Sequence, residues 1–452
     1  MMSGVASAQT SPDAYYEFLM ARHLEADGNN AGALAALERA AVIDPKSAEV
    51  RAEIAAFHFR RNQRDLAEKN AKQALTLDEK NIEANRVLGL LYAANADGEK
   101  NTPAQATTFM RDAITHLERA VNGAQGLTDP TLNYTLGRLY LRSGEPQKAI
   151  VALARVVNQN PGSVQGRVVL AQAQAAAKDL PSAIATLDEI VDDEPRVAAA
   201  LAQYQEQAGL LKQAAESYTK ALEVQPTSRE LKLRRIVVLF DAKDYEHAAT
   251  FAADAQKQHP DDSRFPRLQA SALYAGGDRT RAITLLESTV KAFPKDNTTQ
   301  LALVDMYSSV GRKFDAERVL RQILVVDPAN ADALNYLGYM LAERGEQLDE
   351  AIKLVTRALA ADPNNGAYMD SLGWAHFRRG NLPEAEKYLS AAAEKLPRNA
   401  EILDHLGDVH AKRGKWQDAI DAWERAVQGE GDHVDREVIQ KKIADARAKT
   451  RR

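Results

Sequence analysis

The 452-residue chain contains no cysteine. That excludes disulfides, thiolate catalysis, cysteine-ligated zinc and thioester lipid anchors. Aromatic residues make up only 6% and the net charge is −5, so nothing attracts nucleic acid or an anionic membrane in general. No apolar run approaches the roughly 20 residues needed to span a bilayer. A G-x-x-x-x-G-K-[ST] phosphate loop, a G-x-S-x-G nucleophile elbow and an H-E-x-x-H zinc helix are all missing. These absences point away from an enzyme and from any cofactor or metal. Hydrophobic residues at 45% and charged residues at 27% are ordinary for a folded protein.

What the chain has instead is periodicity. Ala33, Ala67, Ala113, Ala149, Ala183, Ala214, Ala248, Ala282, Ala316, Ala351, Ala385 and Ala419 are mostly 34 residues apart, with exceptions of 46, 36, 31 and 35. A second comb lies twelve residues after nine of these: Pro45, Pro161, Pro195, Pro226, Pro260, Pro294, Pro328, Pro363 and Pro397. Between the combs runs helical spacing. Leu334, Leu337, Gly338 and Leu341 fall at i, i+3, i+4 and i+7, and Gly345 follows where the first helix must end. Ala351, Val355, Ala358 and Leu359 form a second inward stripe, closed by Pro363. The unit is helix–turn–helix, repeated about twelve times, each copy burying its apolar face against its neighbours.

Eight places into the unit sit small residues, among them Ala21, Ala55, Gly89, Gly137, Gly338, Gly373 and Gly407; three further on are bulky ones such as Tyr92, Tyr140 and Tyr307. Together with the combs, this pattern resembles the tetratricopeptide repeat over nearly the whole chain. The resemblance implies an all-α, right-handed superhelical solenoid. The small residues permit close helix approach, so Ile236 and Val304 at that place predict splayed or repacked pairs in repeats seven and nine.

The predicted organisation is a tail or signal-peptide remnant over 1–13, N-terminal repeats over 14–128, a main array over 129–433 and a capping helix with a basic tail over 434–452. Residues 95–106 form a polar insertion inside the third repeat, read as a surface loop. Asp129 and Pro130 read as a helix N-cap and first residue. A shortened link between repeats five and six should tighten the stack. In the capping helix, Val438, Ile439, Ile443 and Ala446 would cover the open end of repeat twelve.

Places two, five, nine, twelve and thirteen of each first helix lie opposite its core stripe. The family resemblance implies that this face lines a concave groove in which partner peptides lie. Near the C-terminus it carries Asn335, Tyr339, Glu343, Asp370, Trp374, Phe377, Arg378, Asp404, Asp408 and Lys412. Aromatics among carboxylates suit a partner with lysine or arginine beside an apolar residue. Trp374 stands roughly 140° from the core place Met369, so it should be partly exposed unless a neighbouring helix covers it. Near the N-terminus the same face carries Tyr15, Phe18, Arg22, Phe59, Arg60, Arg86, Tyr134, Arg138 and Arg142, which predicts acidic or carbonyl-rich partners. His58, His376 and His410 occupy the bulky packing place and read as core or interfacial residues.

The stretch Asn335–Gly345, with Asp370-Ser-Leu-Gly-Trp374 and Asp404-His-Leu-Gly407, is further similar to bacterial envelope repeat proteins. Some of these are lipoprotein adaptors that dock a carboxyl-terminal processing protease, although their lipid-bearing cysteine is absent here. Ala6-Ser7-Ala8 has the form of a signal-peptidase site without a leader ahead of it. These features predict a protein- or peptide-binding scaffold, exported to a bacterial envelope. Two alternatives are a cytoplasmic regulatory subunit of an enzyme complex and a glycan- or glycosyltransferase-associated array.

Overall fold

The computed structural model describes residues 11–99, 101–122, 126–431 and 434–450; Ala6-Ser7-Ala8 lies outside them. The described chain is all-helical, with one isolated bridge between Asn399 and Glu430. None of its helices is long and apolar enough to cross a membrane.

It divides into two compact units, residues 1–242 and 243–452. The first unit opens with α1 (Pro12–Ala26), α2 (Asn30–Ile43), α3 (Ala48–Arg60), α4 (Arg64–Leu77), α5 (Ile82–Ala96) and α6 (Pro103–Val121). It continues with α7 (Pro130–Arg142), α8 (Pro146–Gln159), α9 (Val164–Ala176), α10 (Leu180–Asp188), α11 (Ala198–Gln207), α12 (Leu211–Val224) and α13 (Arg229–Asp241). The second unit starts with α14 (Tyr245–Gln258), α15 (Arg264–Ala275), α16 (Arg279–Ala292), α17 (Asn297–Ser309), α18 (Lys313–Val326) and α19 (Ala331–Arg344). Then follow α20 (Leu348–Ala361), α21 (Gly366–Arg379), α22 (Leu382–Lys395), α23 (Ala400–Lys412), α24 (Trp416–Val427) and α25 (Arg436–Thr450).

Local chemistry sets these boundaries. Side chains of Ser47, Asn81, Asp129, Ser163, Asn330 and Asn399 cap first helices by accepting from backbone N–H groups two or three residues on. Between paired helices the backbone turns through positive φ, at Gly345 (φ 70°) for example, where a side chain would be strained. Asn62, Lys178 and Lys243 fill the equivalent place in three repeats despite that penalty.

All twelve alanines of the comb are 0% exposed. Where they sit, the helix pairs are in close contact. A Cβ on Gly338 would come within 2.4 Å of Val355, and one on Gly407 within 2.4 Å of the Trp423 indole. Val304, at the same place in α17, is also fully buried, so its extra volume is repacked inside the core.

Three irregularities take definite form. The expected loop over 95–106 is largely helical: α5 runs to Ala96, and α6 restarts at Pro103 and is 19 residues long. A reciprocal capping box between Thr102 and Gln105 starts α6 early. In the shortened fifth repeat α10 has only nine residues, and a 3₁₀ turn at Pro195–Val197 leads into a ten-residue α11. At the C-terminus Ile439, Ile443 and Ala446 of α25 are buried on the last pair, while Val438 points to solvent at 49% exposure. One of the four expected capping contacts is therefore not made, because residue 438 precedes the buried stripe by 100° of helix.

Candidate functional site

In the first unit, the first helices of repeats one to three bound a cleft of about 1070 Å³. Phe18, Arg22 and Glu25 of α1 form one wall, Glu49, Ala52, Glu53 and Arg60 of α3 the floor, and residues 78–83 at the start of α5 the other wall. Glu53 is 7% exposed and receives Arg22 at 3.0 Å and Arg60 at 3.0 Å. Arg60 also reaches Glu25 at 2.7 Å, and Arg61 joins it at 2.9 Å. Burial works to raise the Glu25 carboxyl, but the hydrogen bonds and charges of Arg60 and Arg61 prevail and hold it below the usual carboxylate range.

These pairs correct the expected preference. Arg22, Arg60 and Arg86 are on the predicted face, yet each already holds a carboxylate, Arg86 through Glu83 at 2.6 Å. Around the cleft five carboxylates (Glu25, Glu49, Glu53, Asp78, Glu83) face three cations (Arg22, Arg60, Lys80). The cleft is mixed in charge with an acidic excess, which favours a basic partner over an acidic one. Tyr134 is half-buried, whereas Arg138 and Arg142 are exposed and share Asp97, at 3.8 Å from Arg138. Two guanidiniums on one carboxylate leave that spot cationic.

In the second unit the same face is stitched shut by donors and carboxylates from neighbouring first helices. Tyr336 of α19 donates to Asp305 of α17 at 2.5 Å, and Tyr368 of α21 to Asp332 of α19 at 2.5 Å. Tyr339 reaches across two repeats to Glu401 of α23 at 2.6 Å. Burial first, and then the Glu401 charge, push the Tyr339 phenol well above its ordinary value. The Trp374 indole donates to Glu343 at 2.6 Å, stacks on His405 with ring centroids 4.0 Å apart, and lies 5.0 Å from Phe377. The His405 ring meets Asp370 at 2.9 Å, and both are 7% exposed. Burial opposes charge on His405, yet Asp370, with Glu401 and Asp404, outweighs it and raises its pKa. Arg378 donates to the Glu343 carbonyl at 2.7 Å, and Asn335 is half-buried beside these residues.

Two expectations about exposure are thus corrected. Trp374 is 9% exposed, because α23 supplies His405 to cover it. Asp404 and Asp408 do not await a lysine from outside, since Lys442 of α25 holds them at 2.9 and 2.7 Å.

The residues missed in the sequence share a place. Place six of one repeat meets place nine of the repeat before it: Glu53 on Arg22, Tyr336 on Asp305, His405 on Trp374. A projection of one helix puts place six at the edge of the core stripe; only the approach of successive first helices brings it onto the face. The signal was a polar or ionisable side chain at place six, complementary to place nine one unit earlier.

Sequence models of the tetratricopeptide repeat match residues 140–204, 206–272, 268–296, 301–366 and 371–433. With the helix pairs, these matches define a repeat scaffold. The chain belongs to the tetratricopeptide repeat family. Similar to it is the TPR repeat-containing protein PA4667 of Pseudomonas aeruginosa, 31% identical over 158 residues, or 34% of this chain and 26% of that protein. The match spans about a quarter of that relative's length. Two solved structures resemble the fold. One is titled as Naa15/Naa10 bound to HypK-THB (TM-score 0.46, 15% identity, 96% of this chain and 70% of that chain). The other is yeast Tom70 (TM-score 0.46, 14% identity, 97% and 96%).

Proposed function

We propose that this chain is a non-catalytic scaffold that binds a protein segment in the cleft of repeats one to three. One observation carries the reading: this part of the first-helix face is open, with its polar groups already oriented by ion pairs. Preformed, matched charges need little reordering on binding. Phe18 and the exposed Ile82 offer apolar contact on opposite walls. Glu49 and Asp78 have no cationic partner among the described residues, so the occupant would carry a lysine or arginine near an apolar side chain. Affinity capture from the native host with wild type and Ile82→Arg tests this. A partner retained by wild type and lost by the variant is the expected result; partners held equally by both would overturn it.

We extend the proposal to the bacterial envelope, in an adaptor role such as presenting substrates to a processing protease. Ala6-Ser7-Ala8 and the absence of cysteine support that placement. N-terminal sequencing of the native protein should begin at or near Gln9; an intact Met1 species in the cytosolic fraction would end the envelope reading.

A further inference from the structure

Helix α18 departs from its sister second helices on one exposed stripe. Two residues before the comb alanine, the other eleven repeats carry alanine, proline, threonine or a charged or amide residue; α18 carries Phe314, 78% exposed. Nine residues after that alanine the others are polar apart from Val42 and Ala360; α18 carries Val325, 81% exposed. Folding does not require these residues, because the sister repeats fold without them. The two are eleven residues apart, so they share a helix face about 16 Å apart, with Arg318 and Arg321 between them.

The tenth repeat departs at the same spot. Its turn has one residue more than its neighbours': six positions separate Gly345 from Ala351, against five between Gly311 and Ala316 or Gly380 and Ala385. The extra length puts Gln347 at φ 48°, a strained conformation for a side chain with a Cβ. With α18 this turn walls a cleft of about 520 Å³.

Arg344 lies in that cleft, its guanidinium 5.4 Å from the Phe314 ring centre and its side chain only 13% exposed. Its Nη2 donates to Glu317 at 2.6 Å. Its Nε is 3.0 Å from Glu346 but out of line for a hydrogen bond, and its Nη1 has no acceptor among the described residues. Glu317 is shared, since Arg321 also donates to it at 2.8 Å. Three guanidiniums therefore line the cleft against two carboxylates, with donors left over at its floor. A buried guanidinium N–H without an acceptor is costly, and a carboxylate from outside would relieve it.

We propose that this cleft, on the second-helix side of repeats nine and ten, docks a partner-protein segment bearing a carboxylate between two apolar side chains about 16 Å apart. The apolar groups would cover Phe314 and Val325, and the carboxylate would take the free Arg344 donors.

The probe is a displayed library of random peptides, selected on the full chain and counter-selected on the double variant Phe314→Asp, Val325→Asp. Enriched peptides should carry aspartate or glutamate between apolar residues and bind wild type at least about tenfold more tightly than the variant. Absence of discriminating peptides, or enrichment of basic or uncharged ones, would overturn the proposal. Two further results would also overturn it: sedimentation showing wild type dimeric and the variant monomeric assigns the face to a second copy, and flotation of wild type alone with phosphatidylglycerol vesicles assigns it to a membrane. Should the double aspartate variant unfold, Phe314→Ser with Val325→Thr replaces it. None of these residues lines the cleft of repeats one to three, so failure here leaves that reading standing.

Discussion

Between repeats one and two, place nine meets place six as Arg22 on Glu53; between repeats eleven and twelve it does so as Trp374 on His405. The backbone unit is the same, and the side chains give the two faces different physics. Arg22 keeps its head in water, with 60% of its side chain exposed, and holds Glu53 from the rim. Trp374 has no charge to keep wet, so it lies flat under the next helix and takes Phe377 and His405 with it. The result is an open cleft on α1, α3 and α5 and a closed, stitched surface on α19, α21 and α23. A face that has spent its aromatics on packing has fewer left for a partner.

The largest expected effect separates the two faces directly. Trp374→Ala should cost about 3–5 kcal/mol of stability, the scale of a buried aromatic truncation. Arg22→Ala should cost less than about 1 kcal/mol, as exposed ion pairs generally do. Denaturant unfolding of both variants measures this, and hydrogen exchange should place the Trp374 damage in residues 331–412. Equal losses would mean that the two faces do not differ in kind. If Trp374→Ala instead unfolded like wild type and lost a partner, the C-terminal face would be the recognition site after all.

A second test uses pH, where the faces should fail in opposite directions. His405 has a raised pKa when folded, so its pairing with Asp370 stabilises fully below its unfolded value of about 6.5 and is lost as pH rises through the folded value. Glu25 has a lowered pKa, so its pairing with Arg60 and Arg61 stabilises above about 4.3 and is lost as pH falls through the folded value. His376 and His410 in the second unit have pKa values lowered by burial and act against acid, so His405 is isolated by difference. The stability gap between wild type and His405→Gln should shrink as pH rises from about 6 to about 9. The gap between wild type and Glu25→Gln should instead shrink toward about pH 3. A pH-independent His405 gap would show that the ring acts by stacking alone.

The sequence disclosed the architecture because each repeat states it again. A buried alanine at Ala33 could be accidental; twelve in phase could not, and all twelve are fully buried. The Thr102–Gln105 capping box was equally visible, but spacing alone assigned the insertion to a loop. The face was only partly legible. Its members were found by rotation about a single helix, which places Asp370 and Trp374 correctly on the side away from their own core. Their burial depends on Tyr339, Glu401 and His405 in other repeats, hence on how tightly successive first helices approach, and no single period encodes that distance. Phe314 and Val325 were legible in another way, as exceptions to their own sister repeats.

The smallest expected effect sits at the end of the second unit, where Lys442 serves Asp404 and Asp408 together. Burial raises the Asp408 carboxyl, and the lysine ammonium only partly offsets that. Lys442→Met keeps most of the stem that packs beside Trp423 and removes the charge. Asp408 should then titrate higher still, and the variant should lose on the order of 1 kcal/mol near neutral pH. Part of that loss should return near pH 5, where the two carboxylates can share a proton. Hydrogen exchange should show faster opening of α25 with little change in α19 and α21. If the loss spread through those helices, the stitched face would be one cooperative body rather than a series of local pairs. If a lysine-bearing peptide bound the variant but not wild type, Asp404 and Asp408 would form a recognition site that α25 occupies from within, and the faces would differ in occupancy more than in chemistry.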